Sequence, residues 1–401
     1  MSVDQLAPFG RGTDAPLAGR TILQIVPPVA AGGDEQSTLA VAAALVEVGA
    51  RALVASDPGE MTSELQAIGG LHVPFPSAAK NPVAISLNLR RLARIIRSER
   101  VEIVHARSRA AAWAALTVCR ELKRPLVTSF HGESSGSDMR KSFESAVAGG
   151  DLVIASSQYA AERAARIFPL AQTRLRIVRP GIDLARLDPG SVDRARVARI
   201  REAWGAAEHM RVALTPSRLT PGRGQRTLIE AASLLRGRGL DDIRFVLAGD
   251  AAQPAFAREL DALAVERGVN SIIARTGPPS DRPAAFIGAA VAVFPASEPE
   301  APTRSAIEAA AMGALTIVSD VGPAREIVAA PRNAGAESGS GWLVRPGDAI
   351  ALANAIEAAM TLGAAAREAA RRRLRARIGR HYSIERMTRD TLSVYAEALR
   401  R

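Results

Sequence analysis

The sequence predicts an α/β protein made of two Rossmann-like domains, each with a doubly wound parallel sheet, that face a central cleft. Three observations support this prediction. Short apolar runs alternate with segments of helical periodicity, the alternation occurs in two consecutive series, and the 401 residues suffice for two domains with separate cores. In sheets of this kind, ligands bind at the carboxyl ends of the strands.

The first series begins with RTILQIVPPV, an apolar run that predicts a buried parallel strand, followed by the helical segment STLAVAAALVEVG. The next predicted elements are the strand ARALVASD, the helix NLRRLARIIRSER, the strand VEIVHARS, the helix AAAWAALTVCREL and the strand RPLVTSFHG. The strands DLVIASSQ and RLRIVRPGID then flank the helix YAAERAARIF. Strands that alternate with helices indicate a parallel sheet with helical crossovers.

The second series repeats the alternation. Its predicted elements are the strand RVALTPSRL, the helix RTLIEAASLLRGRG, the strand IRFVLAGD, the helix AFARELDALAVERG and the strands SIIARTG, VAVFPAS and LTIVSD. A Gly/Ser-rich loop, RNAGAESGSG, precedes WLVRPGD, and helices follow from Ile350 onward. We predict a flexible N-terminal tail (1–19), an N-terminal domain (20–190), a C-terminal domain (191–375) and a C-terminal helix (376–401) that returns to the first domain.

Composition narrows the function classes. The single cysteine, Cys119, excludes an internal disulfide, and the first twenty residues contain no apolar signal segment, so we expect a cytoplasmic protein. The net charge of +11 fits nucleic acid, an anionic membrane face or a phosphorylated substrate. Nucleic acid is the least favoured partner, because aromatic residues for base stacking make up only 4% of the chain.

Two basic helical segments, NLRRLARIIRSER and RRRLRARIGR, bear on the membrane alternative. They are compatible with peripheral contact to an anionic membrane. The favoured interpretation is that they are solvated faces of packed helices.

Two glycines, Gly32 and Gly33, follow the first predicted strand and precede a helix. Backbone N–H groups at such a turn are able to approach an anion, although a tight strand-to-helix turn explains the glycines equally well. Their spacing does not match the G-x-G-x-x-G fingerprint, which argues against a nicotinamide-dependent dehydrogenase.

Two histidines, His105 and His131, end predicted strands of the first domain. Histidines in equivalent positions are expected to point into the cleft, although a single histidine at a strand end is more often a satisfied hydrogen-bonding group. Arg107 and Arg109 add a cationic rim that suits a phosphorylated or acidic partner.

The turn after the first strand of the second domain contains Arg218 and Arg223. A guanidinium presents a planar fork that matches the oxygens of a diphosphate. Solvated loop arginines are the alternative in a chain so rich in arginine.

The segment SEPEAPTRSAIEAAAMG carries two glutamates, Glu300 and Glu308, with seven residues between them. Ser305 and Glu308 match S-x-x-E, the capping box of a helix N-terminus, with Thr303 as an alternative cap. By itself this segment favours helix capping over chemistry.

Taken in order, these motifs resemble those of the retaining GT-B glycosyltransferases of family 4, over nearly the whole chain from Arg20 to about Ala398. The resemblance rests on Gly32-Gly33-Asp34-Glu35, the strand-end His131, the basic pair five residues apart, the two glutamates with EAAAMGALTIVSDVGPAREIV, and GWLVRPGD. The segments KNP, IVHARSRAAAW, TSFHGESS and AGGDLVIASS are similar to those of bacterial enzymes of lipopolysaccharide or other envelope polysaccharide assembly.

The resemblance implies a role for each matching residue. Arg218 and Arg223 would hold the diphosphate of a nucleotide-sugar donor, Glu308 its ribose, and Glu300 and His131 the transferring sugar. Gly33 and the backbone amides of Thr303, Arg304 and Ser305 would help bind the donor. The acceptor, a glycan or lipid-linked molecule, would lie on the first domain near Gly32, His105, Arg107 and Arg109. No cofactor or metal is expected, because arginines and a helix N-terminus neutralise the diphosphate.

Three departures from the family pattern affect the expected sugar choice more than the activity. Arg223 replaces a usual lysine, Pro302-Thr303 stands where an aromatic residue and glycine are usual, and RPGID replaces the common Asn-Gly-Val-Asp. Two alternatives stay open: a GT-B nucleotide-sugar epimerase, and a non-catalytic protein that binds nucleotide sugars.

Overall fold

The computed structural model describes residues 16–26, 33–57, 59, 61–76, 82–132, 145–299, 304–328 and 340–401. These residues form two compact units. Unit 1 contains the chain up to Gly181 together with Ile384–Arg401, and unit 2 is Ile182–Ser383.

Unit 1 is a parallel α/β sheet. Its strands are β1 (Thr21–Ile25), β2 (Arg51–Ser56), β3 (Leu71–Pro74), β4 (Ile103–Ala106), β5 (Leu126–Phe130), β6 (Leu152–Ala155) and β7 (Leu175–Ile177). Its helices include α1 (Gly33–Glu47), α2 (Met61–Ala67), α3 (Pro82–Ser98), α4 (Arg109–Leu122) and α5 (Gln158–Ile167). The strand order is β3-β2-β1-β4-β5-β6-β7, and Ile22 of β1 pairs with Ala52 and Ile103 on its two neighbours.

Unit 2 repeats this architecture. Its strands are β8 (Arg211–Thr215), β9 (Ile243–Ala248), β10 (Ile273–Thr276), β11 (Val291–Phe294), β12 (Leu315–Ser319) and β13 (Trp342–Val344). Its helices include α6 (Arg194–Ala203), α7 (Gln225–Gly237), α8 (Pro254–Glu266), α9 (Arg282–Gly288), α10 (Arg304–Ala311), α11 (Ala324–Val328), α12 (Ala349–Thr361) and α13 (Ala364–His381). The order β10-β9-β8-β11-β12-β13 is again all parallel, and a last helix, α14 (Ile384–Ala398), belongs to unit 1.

The apolar runs become strands because both faces of each sheet are covered. In β1 all five residues are buried; Leu23 joins a cluster with Leu92 of α3, and Ile22 joins a second cluster with Leu45 of α1 and Tyr395 of α14. Each fully buried side chain of this size contributes about 1.5–3 kcal/mol. Successive strand residues therefore fill two separate core layers.

The same alternation builds the core of unit 2. Leu214 of β8 packs in one cluster with Phe286 of α9, whereas Ala213 lies in the other cluster with Leu228 of α7 and Ile356 of α12. The predicted α/β class with two doubly wound parallel sheets is confirmed.

The division between the units falls after Gly181 and after Ser383, whereas the boundaries predicted from the sequence lie at residues 190 and 375. The physical reason is that Ile182 and the Tyr382–Ser383 segment bind each other inside unit 2. The Ile182 amide donates to the Tyr382 carbonyl at 2.8 Å, and Ile182 forms a parallel bridge with Ser383. Helix α14 then packs on α1 in unit 1.

Over the ranges that the structure describes, no single helix is both long and apolar enough to cross a membrane. Helices α12 and α13 meet the length and composition criteria only when taken together, and this pair is bent by 112°.

Candidate functional site

The sheet of unit 2 changes winding direction between β8 and β11, which are neighbours in the sheet but not in the chain. The loops that leave such neighbouring strands run in opposite directions, so they leave a crevice at the carboxyl edge of the sheet. The loop after β8 carries both Arg218 and Arg223, and the segment after β11 leads to α10 with Glu308.

The loop after β8 is packed so closely that it requires glycine. Gly224, the N-cap of α7, has φ +77°, and a Cβ there would lie 1.8 Å from the Pro295 carbonyl oxygen. Ser297 N donates to the Gly222 carbonyl at 2.9 Å, which joins this loop to the end of β11. The two loops of the crevice therefore hold each other in place.

Gln225, the first residue of α7, holds the same loop through its buried side chain. Its side chain is fully buried, and Nε2 donates to the Arg218 carbonyl at 2.9 Å and to Ser217 Oγ at 3.1 Å. Gln225 Oε1 and the hydroxyl of Thr215 have no hydrogen-bond partner within the described part of the chain. With the backbone anchored in this way, the side chain of Arg218 is exposed and that of Arg223 is half-buried.

Glu308 is a buried carboxylate between two guanidiniums. Arg304, one helical turn earlier, donates from Nε to Oε1 at 2.7 Å, and Arg282 of α9 donates from Nε to Oε2 at 2.9 Å. Arg282 Nη2 also contacts Oε2 and donates to Ser305 Oγ at 3.0 Å. Both oxygens of the predicted ribose-binding carboxylate are therefore oriented by arginine.

The predicted capping box is wrong. Helix α10 begins at Arg304, so Ser305 lies in its first turn, where the Ser305 hydroxyl accepts a hydrogen bond from Arg282. The carboxylate of Glu308 binds arginine side chains instead of the backbone N–H groups of the helix start. The sequence pattern indicated capping because it does not show that Arg304 and, from another helix, Arg282 bind the two carboxylate oxygens.

Helix α9 places Arg282 beside Glu308. The side chain of Asp281 caps α9 by accepting from the Ala284 amide at 3.1 Å, and Pro283 occupies the first turn. Arg196 of α6 binds both Asp281 oxygens at 2.6 and 2.9 Å, and this hydrogen bonding lowers the pKa of Asp281. Arg282 was not among the residues predicted from the sequence; its only local signal was the Asp-Arg-Pro start of a helix.

The winding of the sheet in unit 1 changes between β1 and β4. Helix α1 begins at Gly33 just beyond β1, and Arg107 follows β4, where its Nη1 donates to Gln24 Oε1 at 3.1 Å. Arg109 is the first residue of α4, whose N-cap Ser108 accepts from the Ala111 amide at 3.2 Å. Both arginines therefore lie at the carboxyl edge of this sheet.

His105 does not fit the role expected of it. It lies inside β4, is 2% exposed, and both ring nitrogens are occupied, Nδ1 by the Tyr395 hydroxyl at 2.7 Å and Nε2 by Ser129 Oγ at 2.9 Å. Burial above all, and the charges of Arg107 and His131, lower the pKa of His105 well below 6.5. A neutral, enclosed imidazole of this kind cannot reach an acceptor, so the expectation for His105 is corrected.

His131 follows β5 and is exposed. Three predicted site residues, Gly32, Glu300 and Thr303, lie outside the described residues, and their roles remain predictions. Within the described ranges, no group of three or more His, Cys, Asp or Glu side chains is placed to hold a metal ion.

Two family models match the chain. The model for Glycosyltransferase Family 4 matches residues 31–186, and the model for Glycosyl transferases group 1 matches residues 197–377. The first region falls mostly in unit 1 and the second lies in unit 2.

Curated relatives carry one name. The chain is 31% identical over 265 residues to a D-inositol 3-phosphate glycosyltransferase of Salinispora tropica, with 64% of this chain and 53% of the relative covered. A protein of the same name from Xylanimonas cellulosilytica is 30% identical over 270 residues, with 64% and 60% covered. The chain thus spans about half the length of the curated relatives it matches.

Solved structures extend the comparison to both units. A glycosyltransferase from Rickettsia africae superposes with a TM-score of 0.83 at 28% identity, covering 95% of this chain and 99% of that one. The Anabaena protein HepE in complex with UDP superposes with a TM-score of 0.77 at 20% identity, covering 94% of this chain and 100% of that one. At this level of identity the similarity is evidence only for a shared fold. With both units matched by family models and by these structures, the chain belongs to the group 1 glycosyltransferases, with a family 4 N-terminal region and the GT-B fold.

Proposed function

We propose that this protein is an enzyme that transfers a hexose-type sugar from a nucleotide-sugar donor to an acceptor hydroxyl, with retained anomeric configuration. One observation supports the proposal most strongly: the arginine-bearing loop after β8 and the oriented carboxylate of Glu308 both lie at the carboxyl edge of unit 2, where its sheet changes winding direction. A diphosphate requires cations to balance its charge, and the hydroxyls of a ribose require a hydrogen-bond acceptor such as a carboxylate.

Unit 2 holds the donor. Arg218 and Arg223 neutralise the diphosphate as planar hydrogen-bond donors, and the N-terminal turn of α10 adds a positive dipole end. Glu308 accepts from the ribose. The fold shared with HepE, a structure of which contains UDP, supports a nucleotide ligand.

The reaction breaks the bond between the anomeric carbon and the diphosphate and forms one to the acceptor oxygen on the same face. The departing diphosphate takes the proton of the acceptor hydroxyl, while the two arginines stabilise its growing negative charge. In this scheme Glu300 faces the transferring sugar and His131 hydrogen-bonds one of its hydroxyls. The mechanism needs no metal.

Unit 1 supplies the acceptor side. Arg107 and Arg109 at the carboxyl edge of its sheet suit an acceptor that carries an anionic group near the reacting hydroxyl. A phosphorylated polyol, as in the name of the curated relatives, and a phosphorylated glycan or lipid-linked precursor of envelope polysaccharide, including lipopolysaccharide, share this chemistry. Assays with inositol phosphate and with a lipid-linked glycan acceptor separate these two sources.

We propose a cytoplasmic enzyme that makes peripheral contact with the inner face of the membrane. Helix α3 buries Leu92 and Ile96 and exposes four arginines along its outer face: Arg90, Arg91, Arg94 and Arg97. Exposed Leu87 precedes this stripe. Sedimentation with anionic liposomes should fall when Arg90 and Arg94 are changed to Gln. It should stay unchanged when Arg258 and Arg267, which are exposed in unit 2 outside both basic segments, are changed.

The donor site is tested by thermal shift with a panel of nucleoside diphosphates and nucleotide sugars. A ligand at a hundredfold excess over its Kd stabilises the protein by about 2.7 kcal/mol. Arg218→Gln and Arg223→Gln should each weaken binding of the best ligand at least about tenfold, the loss of one charge-assisted contact. Arg211→Gln is the matched control, because Arg211 sits at the opposite end of β8 and pairs with Asp242. Binding that is unaffected by both donor-site variants would contradict the proposal.

Product analysis separates the alternatives. Transfer is shown by a glycosylated acceptor whose new linkage keeps the anomeric configuration of the donor by NMR. Release of a free epimerised sugar identifies an epimerase instead, and nucleotide-sugar binding with no turnover on any acceptor identifies a non-catalytic binding protein.

A further inference from the structure

The carboxylate of Glu308 accepts more hydrogen bonds than a carboxylate in a single surface ion pair. Its side chain is 8% exposed, and three N–H groups from Arg304 and Arg282 bind its two oxygens. A carboxylate offers about four acceptor positions, so about one remains for a ligand.

Arg282 is itself fixed. Its guanidinium donates to Ser305 Oγ at 3.0 Å and lies 5.9 Å from the centre of the Phe286 ring. The preceding residue, Asp281, is bound at both oxygens by Arg196. Arg196 of α6 therefore holds the residue next to Arg282, and Arg282 in turn binds Glu308 of α10.

This arrangement distinguishes Arg282 from Arg304. Arg304 lies on the same helix as Glu308, one turn away, and by itself would leave the second carboxylate oxygen without a partner. Arg282 binds that second oxygen from a different helix, so that the carboxylate group cannot rotate freely. A preorganised acceptor loses less conformational freedom when a ligand binds.

We propose that Arg282 is a positioning residue that aims the one remaining acceptor position of Glu308 at a single ribose hydroxyl of the donor nucleotide. The inference rests on the proposed function, because it assumes that a nucleotide binds at this edge of unit 2. The competing interpretation is that the ion pair only joins α9 to α10 and has no part in ligand recognition.

Discrimination between ribose and deoxyribose separates the two interpretations. Dissociation constants are measured by calorimetry for UDP, 2′-deoxy-UDP and 3′-deoxy-UDP, and for the GDP series in parallel, because the base is not assigned. The wild-type protein should bind the ribonucleotide about tenfold more tightly than one of the two deoxy forms, the value of one charged hydrogen bond.

In Arg282→Gln this tenfold preference should fall to about twofold or less, while affinity for the less favoured deoxy form stays nearly the same. Arg282→Lys keeps the charge but cannot span Glu308 and Ser305 in one plane, so it should restore the preference only in part. Arg196→Gln loosens the start of α9 but leaves both Arg282 contacts with Glu308 in place, so it should reduce the preference less than Arg282→Gln does.

Two results with the variants overturn the inference. In the first, Arg282→Gln retains the tenfold preference, including the case in which it weakens all three nucleotides by the same factor, as a purely structural contact would. In the second, Arg196→Gln abolishes the preference as fully as Arg282→Gln. Wild-type protein that binds nucleotides without any ribose preference overturns it as well, and leaves the proposed function standing. Wild-type protein that binds no nucleoside diphosphate overturns both.

Discussion

His105 Nδ1 lies 2.7 Å from the hydroxyl of Tyr395, a residue 290 positions further along the chain. The rings meet edge to face, with centroids 5.6 Å apart at 73°. Burial raises the pKa of Tyr395 and lowers that of His105, so both groups are neutral at physiological pH. Either tautomer of the imidazole satisfies both its partners, Tyr395 and Ser129, because each hydroxyl donates or accepts. The pair joins α14 to β4 within unit 1.

The first prediction concerns acid stability. The pKa of His105 is well below 6.5 in the folded protein and near 6.5 in the unfolded chain. As the pH falls below 6.5, His105 binds a proton in the unfolded chain but not in the folded protein. The free energy of unfolding is therefore unaffected by this residue above pH 6.5 and decreases on acidification below it. His105→Gln should remove this dependence, worth up to about 1.4 kcal/mol per pH unit.

Urea unfolding at pH 5 to 8 measures this difference between wild type and His105→Gln. Parallel stability profiles for wild type and His105→Gln would refute a buried neutral imidazole.

The second prediction concerns the partner hydroxyl. Tyr395→Phe leaves one nitrogen of His105 without a partner in a buried site, so it should lower the free energy of unfolding by about 1–3 kcal/mol. In a double-mutant cycle with His105→Gln, the coupling energy should be about 0.5–3 kcal/mol. Additive effects of the two substitutions would show that the contact contributes nothing to stability.

The third prediction concerns Cys119. Burial above all, together with the charge of Asp151, raises the pKa of this thiol to about 12. The thiolate is the reactive species, so Cys119 should stay unlabelled by a disulfide reagent at pH 8 in the folded protein and react with one equivalent after denaturation. Rapid labelling of the folded protein would contradict a buried thiol.

The fourth prediction tests the close packing of the site loop. Gly224→Ala combines a positive φ with a Cβ 1.8 Å from the Pro295 carbonyl oxygen. Backbone strain and overpacking together should cost about 2–5 kcal/mol. Gly239→Ala is matched in φ, at +81°, with nothing within 4 Å of the new Cβ, and should show the strain alone, about 1–2 kcal/mol. Equal losses in thermal unfolding would show that the contact with Pro295 is unimportant.

The fifth prediction concerns the anchor of Arg218. Gln225→Leu removes the two hydrogen bonds to Ser217 Oγ and the Arg218 carbonyl, so nucleotide affinity should fall several-fold and stability by about 1–3 kcal/mol. Thr215→Val is the control: its hydroxyl lacks a partner among the described residues, and the change should stabilise by up to about 1 kcal/mol without altering affinity. Calorimetry with UDP and GDP that shows no loss for Gln225→Leu would contradict the anchoring role.

Local pattern predicted the buried strands well and the partly exposed elements poorly. The apolar runs at β1, β4, β8 and β11 are strands because both faces are covered. The edge strand β3 has no fully buried residue, and the short helices α2 and α9 carry too few turns for a clear period; none of the three was predicted.

The sequence by itself determined the two α/β series, their order, and which loops would meet at the carboxyl edges of the sheets, because alternation of apolar runs and helical periods is encoded within a few residues. Spacing also marked Glu308 and the arginine pair of the β8 loop, but the donor-site roles predicted for them came from the resemblance to the family and stay predictions.

Only the tertiary structure decided which distant side chains meet. Arg282 reaches Glu308 across 26 positions, and Tyr395 encloses His105 across 290. Contacts of this kind depend on how helices pack on the finished sheet, and no local period records them. For that reason Glu308, predicted as part of a helix cap, is a carboxylate held by two arginines. His105, predicted to bind the acceptor, is a buried, neutral residue that joins a strand to the last helix.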